Sequence, residues 1–210
     1  MNAVVIANGE FSPDASLTLL WQRADLRVAA DGGARNARAY LQAAPHVVIG
    51  DLDSLDPETR DWVAENNGEL IQRPVAKDET DLELGLLLAR ERGADRIAVL
   101  GALGGRVDQS AANLLLLSCW PEVVLRGPGA EMWAARRQAG IDGEAGDTVS
   151  LVAIDEKVEG IVTRNLLYPL HGETLERGAT RGVSNVMTAR QASVEWENGL
   201  LLIVHLSPEQ

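Results

Sequence analysis

The sequence predicts an α/β protein, a parallel-sheet Rossmann-like domain over residues 1–126 followed by a small all-β sandwich or barrel over residues 130–210. Two observations carry this. Up to residue 126, short β-branched runs alternate with segments of helical apolar spacing, the pattern of strand–helix–strand units. Past Gly127-Pro128-Gly129 the runs alternate apolar and polar residues between turn signals, the pattern of half-buried strands. Few aromatic residues (4%) against many Ala, Leu, Val and Gly fit a core packed from aliphatic side chains.

In the first part, Ala3–Ala7 reads as a buried strand ending at Asn8-Gly9, Ser16–Gln22 as a helix, and Leu26–Ala30 as a second strand closed by Asp31-Gly32-Gly33. Ala34–Leu41 is a helix, and His46–Ile49 a strand broken by Gly50. Pro57–Asn66 is a helix with Asp56 as N-cap and Pro57 at its first position. Glu69–Gln72 is a short strand. Thr80–Arg92 sets Leu82, Leu86 and Ala89 on one helical face and stops at Gly93. Arg96–Leu100, Asp108–Ser118 and Glu122–Arg126 add a strand, a helix and a strand. In the second part the strands are Met132–Ala135, Thr148–Ala153, Val158–Thr163, Ala192–Trp196 and Leu200–Leu206, with Asn198-Gly199 expected to be a hairpin turn between the last two.

The 210 residues carry a net charge of −12, which excludes a nucleic-acid binder and docking on an anionic membrane. No apolar run approaches the roughly 20 residues that span a bilayer, and the N-terminus reads as strand and turn rather than a targeting segment, so a cytoplasmic protein is expected. Cys119 is alone, which rules out an intrachain disulfide and a cysteine zinc site; its apolar neighbours predict a buried packing role.

Candidate chemistry clusters at strand ends. Asp31 follows one strand, Asp51 and Asp53 another, Asp78 and Asp81 precede a helix, and Arg106 and Asp108 follow the strand ending at Leu100. In an open parallel sheet, ligands bind beyond the carboxyl ends of the strands, so these loops converge on one crevice. Asp51-Leu52-Asp53 can aim two hard oxygen donors at one Mg²⁺, or can be an acidic turn capping the next helix. Gly32-Gly33 and Gly104-Gly105 let backbone approach a phosphate, and Arg106 offers a planar fork to its oxygens. Lys77 beside Asp78, Thr80 and Asp81 can hold a phosphate against a metal, although Asp78 also reads as an ordinary helix cap. No P-loop signature and no nucleophile elbow occurs, and His46, His171 and His205 lack ligand spacing.

Five stretches in order resemble the thiamine pyrophosphokinase family: Ala30-Asp31-Gly32-Gly33-Ala34, Gly50-Asp51-Leu52-Asp53-Ser54, Lys77-Asp78-Glu79-Thr80-Asp81, Gly104-Gly105-Arg106-Val107-Asp108 and Gly182-Val183-Ser184-Asn185. The family transfers pyrophosphate from ATP to the hydroxyethyl group of thiamine and releases AMP. The resemblance implies a homodimer, Mg²⁺ among Asp51, Asp53 and Asp81 with Asp31 nearby, and ATP contacts from Asp31, Gly32, Gly33, Lys77, Asp78, Thr80, Gly105 and Arg106. It implies thiamine contacts from Asp81, Asp108, Ser184 and Asn185, and catalytic roles for Asp51, Asp53, Asp81, Arg106 and Asp108. Animal members set a Trp of the last strand against thiamine where this chain aligns Ile203; either an aliphatic contact serves, or a ring such as Trp196 or Trp133 takes part. The alternatives are a pyrophosphokinase for another heterocyclic alcohol such as a hydroxymethylpterin, a non-catalytic nucleotide sensor, and a metal-dependent phosphohydrolase.

Overall fold

Runs of four or five small aliphatic and β-branched residues bounded by glycine or aspartate are too short for buried helices, and they form the strands of a parallel sheet. The computed structural model describes residues 1–207. The chain divides into two compact units, Met1–Asn113 with Glu122–Pro128, and Leu114–Pro121 with Gly129–Gln210.

The first unit holds β1 (Asn2–Ile6), β2 (Leu26–Ala30), β3 (Val47–Gly50), β4 (Glu69–Gln72), β5 (Arg96–Leu100) and β6 (Val123–Gly127), in the order β6-β5-β1-β2-β3-β4. Every pairing among them is parallel. The chain runs outward from β1 to β4 and then returns to the other side of β1 as β5. That reversal makes the carboxyl ends of β1 and β5 the switch point, where an open α/β sheet leaves a crevice.

Helices α1 (Ala15–Arg23), α2 (Gly33–Asn36), α3 (Pro57–Glu65), α4 (Asp81–Glu91) and α5 (Val107–Leu116) connect the strands. The expected Ala34–Leu41 helix is split: α2 continues as a π-helical turn, Ala37–Leu41, and stops at Gln42 in the left-handed region. Asp56 caps α3, its carboxylate accepting from the Thr59 N–H at 2.8 Å, with Pro57 at the first position. Helix α4 is capped by Thr80, whose hydroxyl accepts from the Glu83 N–H at 3.2 Å, so Asp78 lies in the preceding loop and is not its cap. Trp21 is fully buried on the sheet and donates its indole N–H to the Ala43 carbonyl at 2.7 Å.

The second unit is antiparallel throughout: β7 (Ala130–Asp142), β8 (Thr148–Ala153), β9 (Lys157–Arg164), β10 (His171–Glu176), β11 (Asn185–Val186) and β12 (Gln191–Leu206). The expected hairpin at Asn198-Gly199 is a bulge inside one long strand. Glu195 pairs with Gln138 and Leu200 with Arg136, so residues 196–199 oppose Arg137 alone. Gly199 is required there, because a Cβ would stand 2.4 Å from the Lys157 carbonyl oxygen and its φ is +98°. The bulge lets the first half of β12 pair with β9 and the second half with β8. Trp196 closes it, donating to the Gly199 carbonyl at 2.9 Å. Cys119, expected to be packed, is exposed; it sits in a turn after α5 that buries Leu117 and Trp120 instead.

One buried polar group ties this unit together. Asp147, 4% exposed, accepts from the Glu144 N–H at 2.9 Å, and its Oδ2 lies 2.8 Å from His205 Nε2 and 3.3 Å from the Ser207 hydroxyl. Burial pushes its carboxyl up, but the Glu144 N–H, the His205 ring and Ser207 outweigh it and hold the group below the usual carboxylate range. A depressed folded value means that the contribution is fully present above the unfolded pKa and is lost as pH falls through the folded one. Urea titrations should show Asp147→Ala costing roughly 3 kcal/mol at neutral pH. The gap to wild type should narrow below about pH 4, where unfolded aspartate protonates.

Candidate active site

Beyond the carboxyl ends of β1, β2, β3 and β5, and against the start of α4, lies a cavity of about 370 Å³. Its floor is fixed by main chain. The Gly9 N–H donates to the Gly101 carbonyl at 2.9 Å, and a Cβ on Gly9 would sit 2.3 Å from that oxygen. Asn36 donates to the carbonyls of Ala7 and Gly9, both at 3.2 Å. Gly33 lets α2 start directly on β1, since a Cβ there would meet the Ile6 carbonyl oxygen at 2.1 Å.

At one end the cavity is acidic. Asp31, Asp51 and Asp53 each offer a carboxylate oxygen, all within 4.8 Å of one another. The local chain explains how: Leu52, at φ +64°, buries its side chain in the core, which leaves its two neighbours facing the cavity. Asp51 is further tied by accepting from the Asp53 N–H at 3.1 Å, and Asp53 accepts from the Ser54 hydroxyl at the same distance. Asp31 is 6% exposed and stands at φ +44°, its N–H donating to the Ile49 carbonyl at 2.9 Å. Its Oδ1 is buried without any hydrogen-bond partner. A buried carboxylate oxygen with no donor, crowded by two more carboxylates, is a group that awaits a cation. Three hard oxygens of this kind fit Mg²⁺, which takes one or two carboxylates together with water and phosphate oxygens.

Asp81, at the first position of α4, lines the same cavity, and Lys77 Nζ lies 2.6 Å from its Oδ1. Thr80 and Arg106 line it too. Arg106 is turned toward Asp108, Nε donating to Oδ1 at 3.1 Å and Nη2 to Oδ2, in an exposed pair. That bidentate hydrogen bonding raises the guanidinium and lowers the carboxyl from their ordinary values.

The remaining candidates lie elsewhere. Asp78, Gly105 and Asp108 are exposed and outside the lining, where Glu79 and Gly104 stand instead. Gly32 makes room for the Asn8 side chain, 2.5 Å from where its Cβ would be. Ser184 and Asn185 belong to the second unit. Ser184 is exposed at φ +61°, and its N–H donates to the Ser150 hydroxyl at 3.0 Å. Asn185 is buried and clasps Tyr168, accepting from its N–H at 3.0 Å and donating to its carbonyl at 2.7 Å.

The other end of the cavity, which no charged motif in the sequence marks, is formed by Asn8, Gly9, Gly101, Ala102, Gln109 and Asn113. Asn113, 5% exposed, donates to the Ala102 carbonyl at 2.7 Å. The spacing of Gln109 and Asn113, four apart on a helix after a glycine-rich strand end, was the available signal.

Fold and site together define a class, an α/β-plus-β protein whose strand-end crevice gathers hard oxygen donors. A family model described as "Thiamin pyrophosphokinase, catalytic domain" matches residues 17–123, and one described as "Thiamin pyrophosphokinase, vitamin B1 binding domain" matches residues 138–201. The chain belongs to the thiamin pyrophosphokinase family. Thiamine pyrophosphokinase 1 of Arabidopsis thaliana is 26% identical over 90% of this chain and 80% of its own length. Thiamine pyrophosphokinase 1 of Oryza sativa subsp. japonica is 33% identical over 55% of this chain, a match that spans half of the rice protein. The thiamine pyrophosphokinase structure from Bacillus subtilis superposes with a TM-score of 0.85 over the whole of both chains at 22% identity, and the yeast one with 0.80 over 98% of this chain and 86% of its own at 18%; both share the fold.

Asp31→Asn keeps the shape, tolerates the left-handed backbone, and supplies an amide donor to Asp51 and Asp53. The metal-free variant should be about 1 kcal/mol more stable than wild type, since crowding of like charge is relieved. Its divalent-ion affinity should fall at the same time. Chemical denaturation in chelator and a Mn²⁺ titration read the two effects, and a less stable variant would contradict the reading of Asp31.

Proposed function

We propose that the chain transfers pyrophosphate from ATP to thiamine in a Mg²⁺-dependent reaction, giving thiamine diphosphate and AMP. The observation that carries this is the group of three carboxylates around the partnerless Oδ1 of Asp31, inside a cavity of the unit matched by the catalytic-domain model. The vitamin B1 binding description of the second unit's model supports thiamine as acceptor.

On this reading the first unit is a Rossmann-like ATP and metal domain over residues 1–126. The second, a sandwich or barrel over residues 130–210, contributes to thiamine binding and to a homodimer. The thiamine hydroxyl oxygen attacks the β-phosphorus of ATP in line, the bond from that phosphorus to the α–β bridging oxygen breaks, and AMP leaves with the electron pair. Asp31, Asp51, Asp53 and Asp81 would hold the metal, which offsets charge on the transferred group. Lys77, Thr80 and Arg106 meet phosphate oxygens, with Gly32, Gly33, Asp78 and Gly105 shaping the nucleotide's surroundings. Asp81 or Asp108 takes the hydroxyl proton, and Ser184 and Asn185 approach thiamine. The protein's part is positioning and charge neutralisation from a rigid main-chain floor. No helix among the described residues is long and apolar enough to cross a membrane, which is consistent with the cytoplasmic location that we propose.

The test is AMP formation from ATP with thiamine, with a hydroxymethylpterin and without acceptor. AMP should appear only with both Mg²⁺ and thiamine. Turnover with the pterin instead would reassign the acceptor, and acceptor-independent phosphate release would indicate a hydrolase. Asp51→Asn should lower kcat by about a hundredfold or more with an unchanged circular dichroism spectrum; near-normal turnover removes Asp51 from the metal site.

A further inference from the structure

The lining of the cavity contains two cationic side chains, Lys77 and Arg106. They are held differently. Arg106 and Asp108 form their pair in solvent, with side chains 72% and 65% exposed, whereas Lys77 and Asp81 pair at 2.6 Å with side chains 13% and 31% exposed. Lys77 is thus the positive charge held inside the acidic end. Its backbone lies in the loop between β4 and α4, outside either element, and the ammonium rides on a flexible four-carbon stem. It can leave Asp81 by rotamer changes alone.

We propose that Lys77 is a resident counter-ion that neutralises Asp81 in the metal-free protein and passes to the polyphosphate when a divalent cation occupies the carboxylates. This rests on the metal site proposed above. Asp31, Asp51, Asp53 and Asp81 line one cavity, so a lysine ammonium and a divalent cation compete for the same negative charge. A metal arriving alone must displace Lys77, which then has no partner. A metal arriving with a polyphosphate gives the ammonium new oxygens at once. Metal and nucleotide should therefore bind cooperatively, each strengthening the other by the same factor, with Lys77 carrying much of the coupling.

The experiment measures Mn²⁺ affinity by electron paramagnetic resonance for wild type and Lys77→Met, with and without a non-hydrolysable ATP analogue. Methionine keeps the stem and removes the charge. Without nucleotide, the variant should bind Mn²⁺ about tenfold more tightly than wild type, as expected for loss of one competing charge within several ångströms. With the analogue present that advantage should vanish or reverse. A lysine with a merely structural role would not make the effect of the variant depend on nucleotide in this way. Equal or weaker Mn²⁺ binding by the nucleotide-free variant overturns the proposal. A wild-type protein that binds no Mn²⁺ at all overturns the metal site itself, a separate failure. A second measurement needs no variant: acylation of Lys77, mapped by peptide mass, should rise when Mn²⁺ is added and fall when the ATP analogue follows. Labelling indifferent to saturating Mn²⁺ also overturns the proposal.

Discussion

The rim of the first unit is organised around one electrostatic conflict, three carboxylates drawn within 4.8 Å at the ends of β2 and β3, one of them buried and without a donor for Oδ1. Left to themselves in water, these groups would separate. The backbone does not let them. Asp31 is anchored through its N–H on Ile49, and Gly50 follows so closely that any Cβ there would stand 2.8 Å from the Asp31 Cβ and 3.1 Å from Asp81 Oδ1. The conflict is built into the main chain, which is how a protein keeps a site organised before its ligand arrives.

The same main chain explains why the conflict is tolerated. The central strands β1, β2 and β3 are buried on both faces, and α2 starts directly against the Ile6 carbonyl through Gly33, so little freedom remains at the strand ends. Asn36 bridges two carbonyls of the turn after β1, and Gly9 is stitched to Gly101 after β5. Rim chemistry then changes with strand order. At β5 and β1 it is made of glycines, alanine and amides, with Arg106 paired outward to Asp108; at β2, β3 and the start of α4 it is anionic. A ligand with an uncharged end and a cation-bearing polyanionic end matches that gradient.

Much of this was legible in the sequence, for identifiable reasons. Strands bounded by Gly or Asp, the Asp56-Pro57 cap and the Gly93 stop are local signals, and the elements that rest on them appear with boundaries close to those expected. The gathering of Asp31, Asp51, Asp53 and Asp81 followed from a topological rule rather than from any motif. What was not legible depends on contacts distant in sequence. Asn198-Gly199 looks like a hairpin turn, but Lys157 approaches Gly199 from another strand and β12 runs on through it. Cys119 sits among apolar residues, yet the turn after α5 points it outward. Asp78 reads as a cap in the sequence with Thr80 inside the helix, whereas the helix begins at Asp81 and Thr80 is its cap. The neutral end of the cavity was missed because glycines and amides carry no charge to betray them.

The all-β unit constrains how an aromatic ring could meet a cationic heterocycle. Ile203, the last-strand position that the family resemblance set against thiamine, is fully buried between Trp133 and Leu151 on the neighbouring strands. A side chain in that place contributes to packing and presents no surface. Trp196 is also spent, 5% exposed with its indole N–H committed to the bulge at Gly199. Trp133 is different: it packs against the core but remains partly exposed. A cation–π contact needs an open ring face within about 6 Å of the charge. Of the three positions, Trp133 alone retains free surface, so an aromatic contribution from these strands would have to come from β7 rather than β12.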